Sequence, residues 1–222
     1  MLQKTTIKFL QDLKLNNHRE WFESNRKTYE SAKADYLQFV GEVLKGVCKN
    51  DDTLALLQPK DCTFRINRDV RFSKNKAPYK TNMGAGFSKG GKKMTLAGYY
   101  FQCEPDTSFI AGGIWMPLAP ELKKVRQEID YCHDEFNGIV TSKKFVTEFG
   151  ELEHGENAIL KRPPKGYQED NPAIGYLKLK SFIASSLITD EDLTSKHLVK
   201  KIVDACADLK PLVHFINRGI EG

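Results

Sequence analysis

The sequence predicts an α+β fold, with an antiparallel sheet of roughly four to six strands packed against N- and C-terminal helices. Three observations carry this. Apolar residues recur at helical spacing through the first fifty positions, strand formers and glycine turns take over from Cys62 to Trp115, and helical spacing returns after Pro117. No linker, repeat or low-complexity stretch interrupts the 222 residues, so one domain spanning 1–222 is expected.

Ile7, Leu10 and Leu13 define a first helix, with Thr5 and Thr6 as suitable caps. Asn17 and Glu20 have capping-box spacing ahead of a short helix carrying Trp21 and Phe22. A longer helix presents Tyr29, Ala32, Tyr36, Val40, Val43 and Val47, a stripe that suits core packing better than an aromatic ligand box. Pro59 ends a connecting segment. Thr63 to Phe72 alternates as a strand does, Asn82 to Ser88 is glycine-rich, and Gly90-Gly91 signals a turn. Met94 to Cys103 and Ser108 to Trp115 hold strand formers on either side of a Pro105-Asp106 turn. Such short turns require antiparallel pairing, because parallel strands need crossovers of about a dozen residues. Gly112-Gly113 predicts a bulge or a close backbone approach.

Pro120 suits the first position of a helix carrying Leu122, Val125, Ile129, Cys132 and Phe136, with Gly138 where a C-terminal cap belongs. A shorter helix with Phe145 and Phe149 runs from Thr141 to Gly150, and residues 151–175 read as irregular. Phe182 to Ile188 reads as a further strand. The last helix carries Leu198, Ile202, Ala205, Leu209, Leu212 and Ile216, with a kink predicted at Pro211.

Composition narrows the class of protein. Hydrophobic residues make up 40% and charged residues 28%, ordinary values for a soluble globular chain. The N-terminus lacks the apolar core of a secretory signal, and the longest uncharged run, Thr107 to Pro120, is too short to span a bilayer. Cys48, Cys62, Cys103, Cys132 and Cys206 are scattered, with no C-x-x-C pair. That pattern fits reduced thiols in a cytoplasm and argues against a disulfide framework or a zinc site. His18, His133, His154, His197 and His214 show no ligand spacing, so no metal is predicted, and no motif implies a cofactor. G-A-G-F-S-K-G-G-K-K lacks the terminal G-K-[ST] of a P-loop and reads as a hairpin tip. Acidic clusters at Glu148 to Glu156 and Asp190 to Asp192 would repel a polyanion spread over the whole surface, so any nucleic acid meets one face only.

The informative stretch is Phe64 to Lys80, F-R-I-N-R-D-V-R-F-S-K-N-K-A-P-Y-K. Arg65, Arg68, Arg71, Lys74, Lys76 and Lys80 face the single acid Asp69, and the net charge of this stretch equals the +5 of the whole protein. The basic character is local, which points to an anion site. As a strand, it would place Arg65, Asn67, Asp69 and Arg71 on one face, with forks about 20 Å apart, and Arg68 among apolar residues on the other. Arg68 then needs a carboxylate partner, with Asp69 the candidate for an internal ion pair. Alternatively, Asn67-Arg68-Asp69 is a turn or bulge that gathers the arginines.

Together with N-N-H-R-E-W-F near the start and G-Y-Y-F-Q-C-E-P in the middle, this motif resembles a family of conserved hypothetical proteins, domain of unknown function 2461. The resemblance covers nearly the whole chain. It implies a single domain and carries no activity, substrate or catalytic residue onto these positions.

Function is therefore read from the residues. Arginine forks grip phosphate with two bonds and lysines add point charge. Tyr79 is a candidate stacking surface, extended by Tyr99, Tyr100 and Trp115 unless these are core. The leading expectation is a binding module for a phosphate-containing ligand or single-stranded nucleic acid at Arg65, Arg68, Arg71, Lys74, Lys76, Tyr79 and Lys80. Two alternatives stand beside it. One is an enzyme on a phosphorylated small molecule, with Asp69 or Glu104 as acid–base; the other is an interaction protein whose motif is an ion-pair scaffold.

Overall fold

A computed structural model describes residues 1–93, 95–155 and 158–222. Met94 and Glu156, which the strand and acidic-cluster expectations touch, lie outside the described residues.

The N-terminal third is helical: α1 (Lys4–Leu15), α2 (Arg19–Ser24), α3 (Arg26–Val47) and the single turn α4 (Pro59–Cys62). The sheet follows as β1 (Met83–Phe87), β2 (Gly98–Cys103) and β3 (Ser108–Ile114). The chain then runs through α5 (Ala119–Tyr131), α6 (His133–Val140), α7 (Lys143–Phe149) and α8 (Ile174–Leu177). It returns as β4 (Phe182–Ile188) and ends in α9 (Asp190–Leu193) and α10 (Leu198–Glu221). The four strands form an antiparallel sheet in the order β1-β2-β3-β4, so the fold is α+β. Among the described residues no helix is long and apolar enough to cross a membrane.

The register divides the sheet into two unlike faces. Ala85, Phe101 and Ile110 are cross-strand neighbours on one face, as are Phe87, Tyr99, Gly112 and Ala184, and all seven are buried. Helix α10 packs on this face; a Cβ at Gly112 would stand 2.8 Å from Leu209 Cδ1. Helix α3 lies beside it, with Tyr36 and Phe39 against Phe101. On the other face the rows read Gly84, Gln102, Phe109, Leu187 and Gly86, Tyr100, Ala111, Ser185. Tyr100, Gln102 and Phe109 there are only half-buried. One face is core and the other is left open.

Several local expectations need correction. Thr5 and Thr6 do not cap α1; Gln3 precedes it, and Thr6 is buried with its hydroxyl donating to Asp35 Oδ2. His18, not Asn17, caps α2. The helix expected to run from Pro120 to Gly138 breaks at Cys132, and Gly138 lies inside α6. The break re-aims Phe136 into a ring cluster with Tyr176, Phe182 and Phe215. Of the rings weighed as stacking surface or core, Tyr99 is core, 1% exposed, and Trp115 is 75% exposed.

The close approach expected at Gly112-Gly113 is present. Gly113 has φ +122°, and a Cβ there would fall 1.9 Å from the Phe182 carbonyl oxygen. Pro211 lies within α10.

The largest correction falls on Thr63 to Phe72, which is not a strand. Only Thr63 pairs with β1, through a bridge to Ala85, and Phe64 N–H donates to the Gly84 carbonyl. Residues 66–68 instead pair with 78–80: Lys80 N–H donates to the Ile66 carbonyl and Arg68 N–H to that of Pro78. The result is an irregular hairpin beside the β1 edge, closer to the turn alternative than to the strand. Side chains take over the ladder's role at its tip. Asp69 Oδ1 accepts the Arg71 N–H, and Lys76 Nζ donates to the Val70 carbonyl.

Candidate functional site

The hairpin is held at its base by α1–α2. Asn17 accepts the Tyr79 N–H at 3.1 Å and donates to the Tyr79 carbonyl at 2.9 Å, so one side chain acts as a strand edge. Tyr79 is stacked on Phe22, with centroids 3.9 Å apart, and buried. It anchors the hairpin and offers no face to a ligand, contrary to its expected stacking role.

The hairpin cations divide into two sets. At the tip, Arg71 holds Asp69 through two guanidinium bonds of 3.0 and 2.6 Å. That pairing keeps the Asp69 carboxyl below its ordinary value. Lys76 is tied to backbone carbonyls, and Lys74 is exposed. The expected Arg68–Asp69 ion pair does not form. Arg68 instead donates to the Ala77 carbonyl and to Ser73 Oγ, and no carboxylate lies within salt-bridge distance among the described residues. The second set is Arg65 and Lys80, at the base. Neither side chain makes a hydrogen bond or ion pair among the described residues. Lys80 Nζ sits 5.4 Å from the Phe64 ring centroid. Its pKa is lowered by burial and then by the nearby Arg65 guanidinium.

Three cavities meet at this base. A cleft of about 310 Å³ between α3, α4 and the hairpin is lined by Lys33, Lys60, Arg65 and Lys92, with no carboxylate among its lining residues. Lys33 is shared with Glu30 at 3.4 Å, and Lys92 Nζ donates to the Lys60 carbonyl. A second hollow of about 340 Å³ takes Lys14, Arg68 and Lys80 with Asn17, Asn75 and Asn82, again without an acid. The third, about 490 Å³, is the open sheet face. Asn82 borders the first two, and Phe64 borders the first and third.

Glu104, one of the two acid–base candidates, stands near Asn82. Its carboxylate accepts from Thr81 Oγ1 at 2.6 Å, from Gln102 Nε2 at 2.7 Å and from Asn82 Nδ2 at 3.5 Å. Tyr100 OH donates to Gln102 Oε1, extending the network across the open face. Burial, and then Glu104, push the Tyr100 phenol up to about 12. Both Glu104 oxygens are engaged, which suits a positioning role better than proton transfer. Asp69, the other candidate, is exposed and held by Arg71.

Sequence reasoning missed Lys33, Lys60 and Lys92, because they come from α3, α4 and the β1–β2 turn, and no motif joins them. It also missed a buried carboxylate, Asp51. This accepts from Tyr99 OH at 2.8 Å and Thr53 Oγ1 at 2.6 Å, with His214 Nε2 at 3.3 Å, so it ties β2 to α10. Burial would raise the Asp51 carboxyl, but the Thr53 and Tyr99 bonds and His214 outweigh it and leave it lowered. Among the described residues no group of three or more His, Cys, Asp or Glu side chains is placed to hold a metal ion.

The molecule is thus an α+β protein with a meander sheet, one face bare, and a cation-rich hairpin at the sheet's edge. The chain belongs to the conserved hypothetical protein family DUF2461, whose model matches residues 5–215. Neither the curated proteins nor the solved structures contain a match.

Proposed function

We propose that this protein is a binding module for a phosphate-bearing ligand, held at the hairpin base by Arg65 and Lys80 with Lys33, Lys60 and Lys92 around them. One observation carries the reading. Half-buried Lys80 and exposed Arg65 stand close enough to repel each other, and neither side chain forms an ion pair among the described residues. Unpaired cations in a partly desolvated cleft cost stability unless an anion joins them. The tip cations Arg71 and Lys76 already have partners, so they are peripheral to the reading. The ion-pair-scaffold alternative fits the tip but leaves the base unexplained.

Thermal melting with phosphate, pyrophosphate, nucleotides and short single-stranded nucleic acid tests this at low ionic strength. An anion that raises the midpoint for wild type and for Arg71→Ala, but not for Arg65→Ala, supports the site. If no anion raises the midpoint, the reading fails.

A further inference from the structure

We propose that the open sheet face seats the base of a mononucleotide whose phosphates lie on Arg65 and Lys80. This rests on the phosphate reading above and names the ligand class.

The shape of the face comes first. Gly98, Gly112 and Gly113 line the groove without side chains, and Ala111 lines it beside them. Phe64, Tyr100 and Phe109 form a continuous aromatic row, with centroids 6.0 and 5.8 Å apart, and exposed Trp115 borders the same groove. A floor of glycine and alanine flanked by rings leaves room for a planar group to stack on an exposed π-face. The volume of about 490 Å³ falls within the range of small-ligand sites.

Charge gives the groove a direction. Phe64 is the shared wall between the groove and the cationic cleft, with Lys80 above its ring. At the opposite end stands Glu153, whose Oε1 accepts from Ser185 Oγ. A carboxylate there repels a second phosphate and accepts from an exocyclic amino group. A ligand anionic at one end, and planar and amino-bearing at the other, matches this polarity. A continuing nucleic-acid strand does not, because its next phosphate would meet Glu153.

Fluorescence and calorimetric titrations of the full chain with pyrophosphate, adenosine diphosphate, uridine diphosphate and an oligoadenylate test the inference. Adenosine diphosphate is expected to bind about tenfold more tightly than pyrophosphate, from one stacked base, and to quench Trp115. Ala111→Leu should fill the groove and abolish that excess while sparing pyrophosphate. Glu153→Gln, an exposed change that keeps the fold, should erase the preference for adenosine over uridine diphosphate.

Equal affinity for pyrophosphate and adenosine diphosphate overturns the inference and leaves the phosphate reading standing. An oligoadenylate that binds more tightly than adenosine diphosphate also overturns it. If neither pyrophosphate nor any nucleotide binds, both fall.

Discussion

Lys80→Met separates a binding cation from a structural one. Methionine keeps the apolar stem over Phe64 and removes only the charge. In the free protein Lys80 has no ion-pair partner among the described residues, and burial, then Arg65, disfavours its charge. Screening by solvent limits that repulsion to about 0.5 kcal/mol. The variant should therefore melt roughly 1–2 °C higher than wild type, at 2–4 °C per kcal/mol for a chain of this size. With ligand the order should reverse. A phosphate ligand at a hundred times its Kd stabilises wild type by about 2.7 kcal/mol, or roughly 5–10 °C, and the variant much less. Differential scanning calorimetry with and without pyrophosphate reads both shifts, with Lys74→Met as the exposed-lysine control. A variant that melts several degrees lower without ligand would show that Lys80 is structural. One that keeps the full pyrophosphate shift would remove it from the site.

Gly113→Ala should lose on the order of 3 kcal/mol or fail to fold, because both its φ of +122° and the Phe182 carbonyl oppose a Cβ. Gly84→Ala should fold, since its Cβ would meet only the Tyr100 side chain, and should move Tyr100 and lower its phenol from about 12, read by ultraviolet titration. The Asp51 carboxyl is lowered below its ordinary 3.8, so its contribution is complete above that value and is lost as pH falls through the folded value. The stability gap between wild type and Asp51→Asn, followed by urea melts, should therefore be constant near neutrality and close in acid. Arg68→Ala should cost about 1–2 kcal/mol by urea melts, the loss of hydrogen bonds to Ala77 and Ser73. A loss of about 3–5 kcal/mol would instead indicate a buried ion pair.

The sheet was legible where local signals and tertiary demand agree. β4 matches the run Phe182 to Ile188, and β3 covers the expected Ser108 to Trp115 up to Ile114, because strand formers there also face the core or a paired neighbour. The Thr63 to Phe72 alternation misled for a physical reason. Alternation reports which side chains prefer burial, not whether the backbone finds a ladder. Here Asp69 and Lys76 satisfy the backbone locally, while Asn17, more than sixty residues away along the chain, fixes the return strand. The helix break at Cys132 was equally hidden, because Phe136 keeps helical spacing on either side of it. Within the hairpin, charge was legible and its division was not. Pairing at the tip and its absence at the base depend on which cations meet Asp69.

The glycines of the sheet sort by what excludes a side chain, and this bears on why one face is bare. At Gly98 a Cβ would fall 2.5 Å from the Phe87 carbonyl, and at Gly113 it would meet the Phe182 carbonyl, so backbone approach explains both. Gly84 is different: the atoms nearest a Cβ there belong to the Tyr100 side chain, its hydroxyl at 2.5 Å and ring carbons at 3.1 and 3.2 Å. Glycine in a strand costs roughly 0.5–1 kcal/mol against alanine, and nothing in the backbone at Gly84 requires it. What its missing side chain permits is for the Tyr100 ring to pass over Gly84, donate to Gln102 and join the row from Phe64 to Phe109. The consequence is an aromatic row ending at Phe64, beside Arg65 and Lys80, whose side chains form no ion pair among the described residues. A strand that gives up stability to shape its solvent face, next to like charges held without an ion-pair partner among the described residues, is the arrangement the proposed ligand would explain.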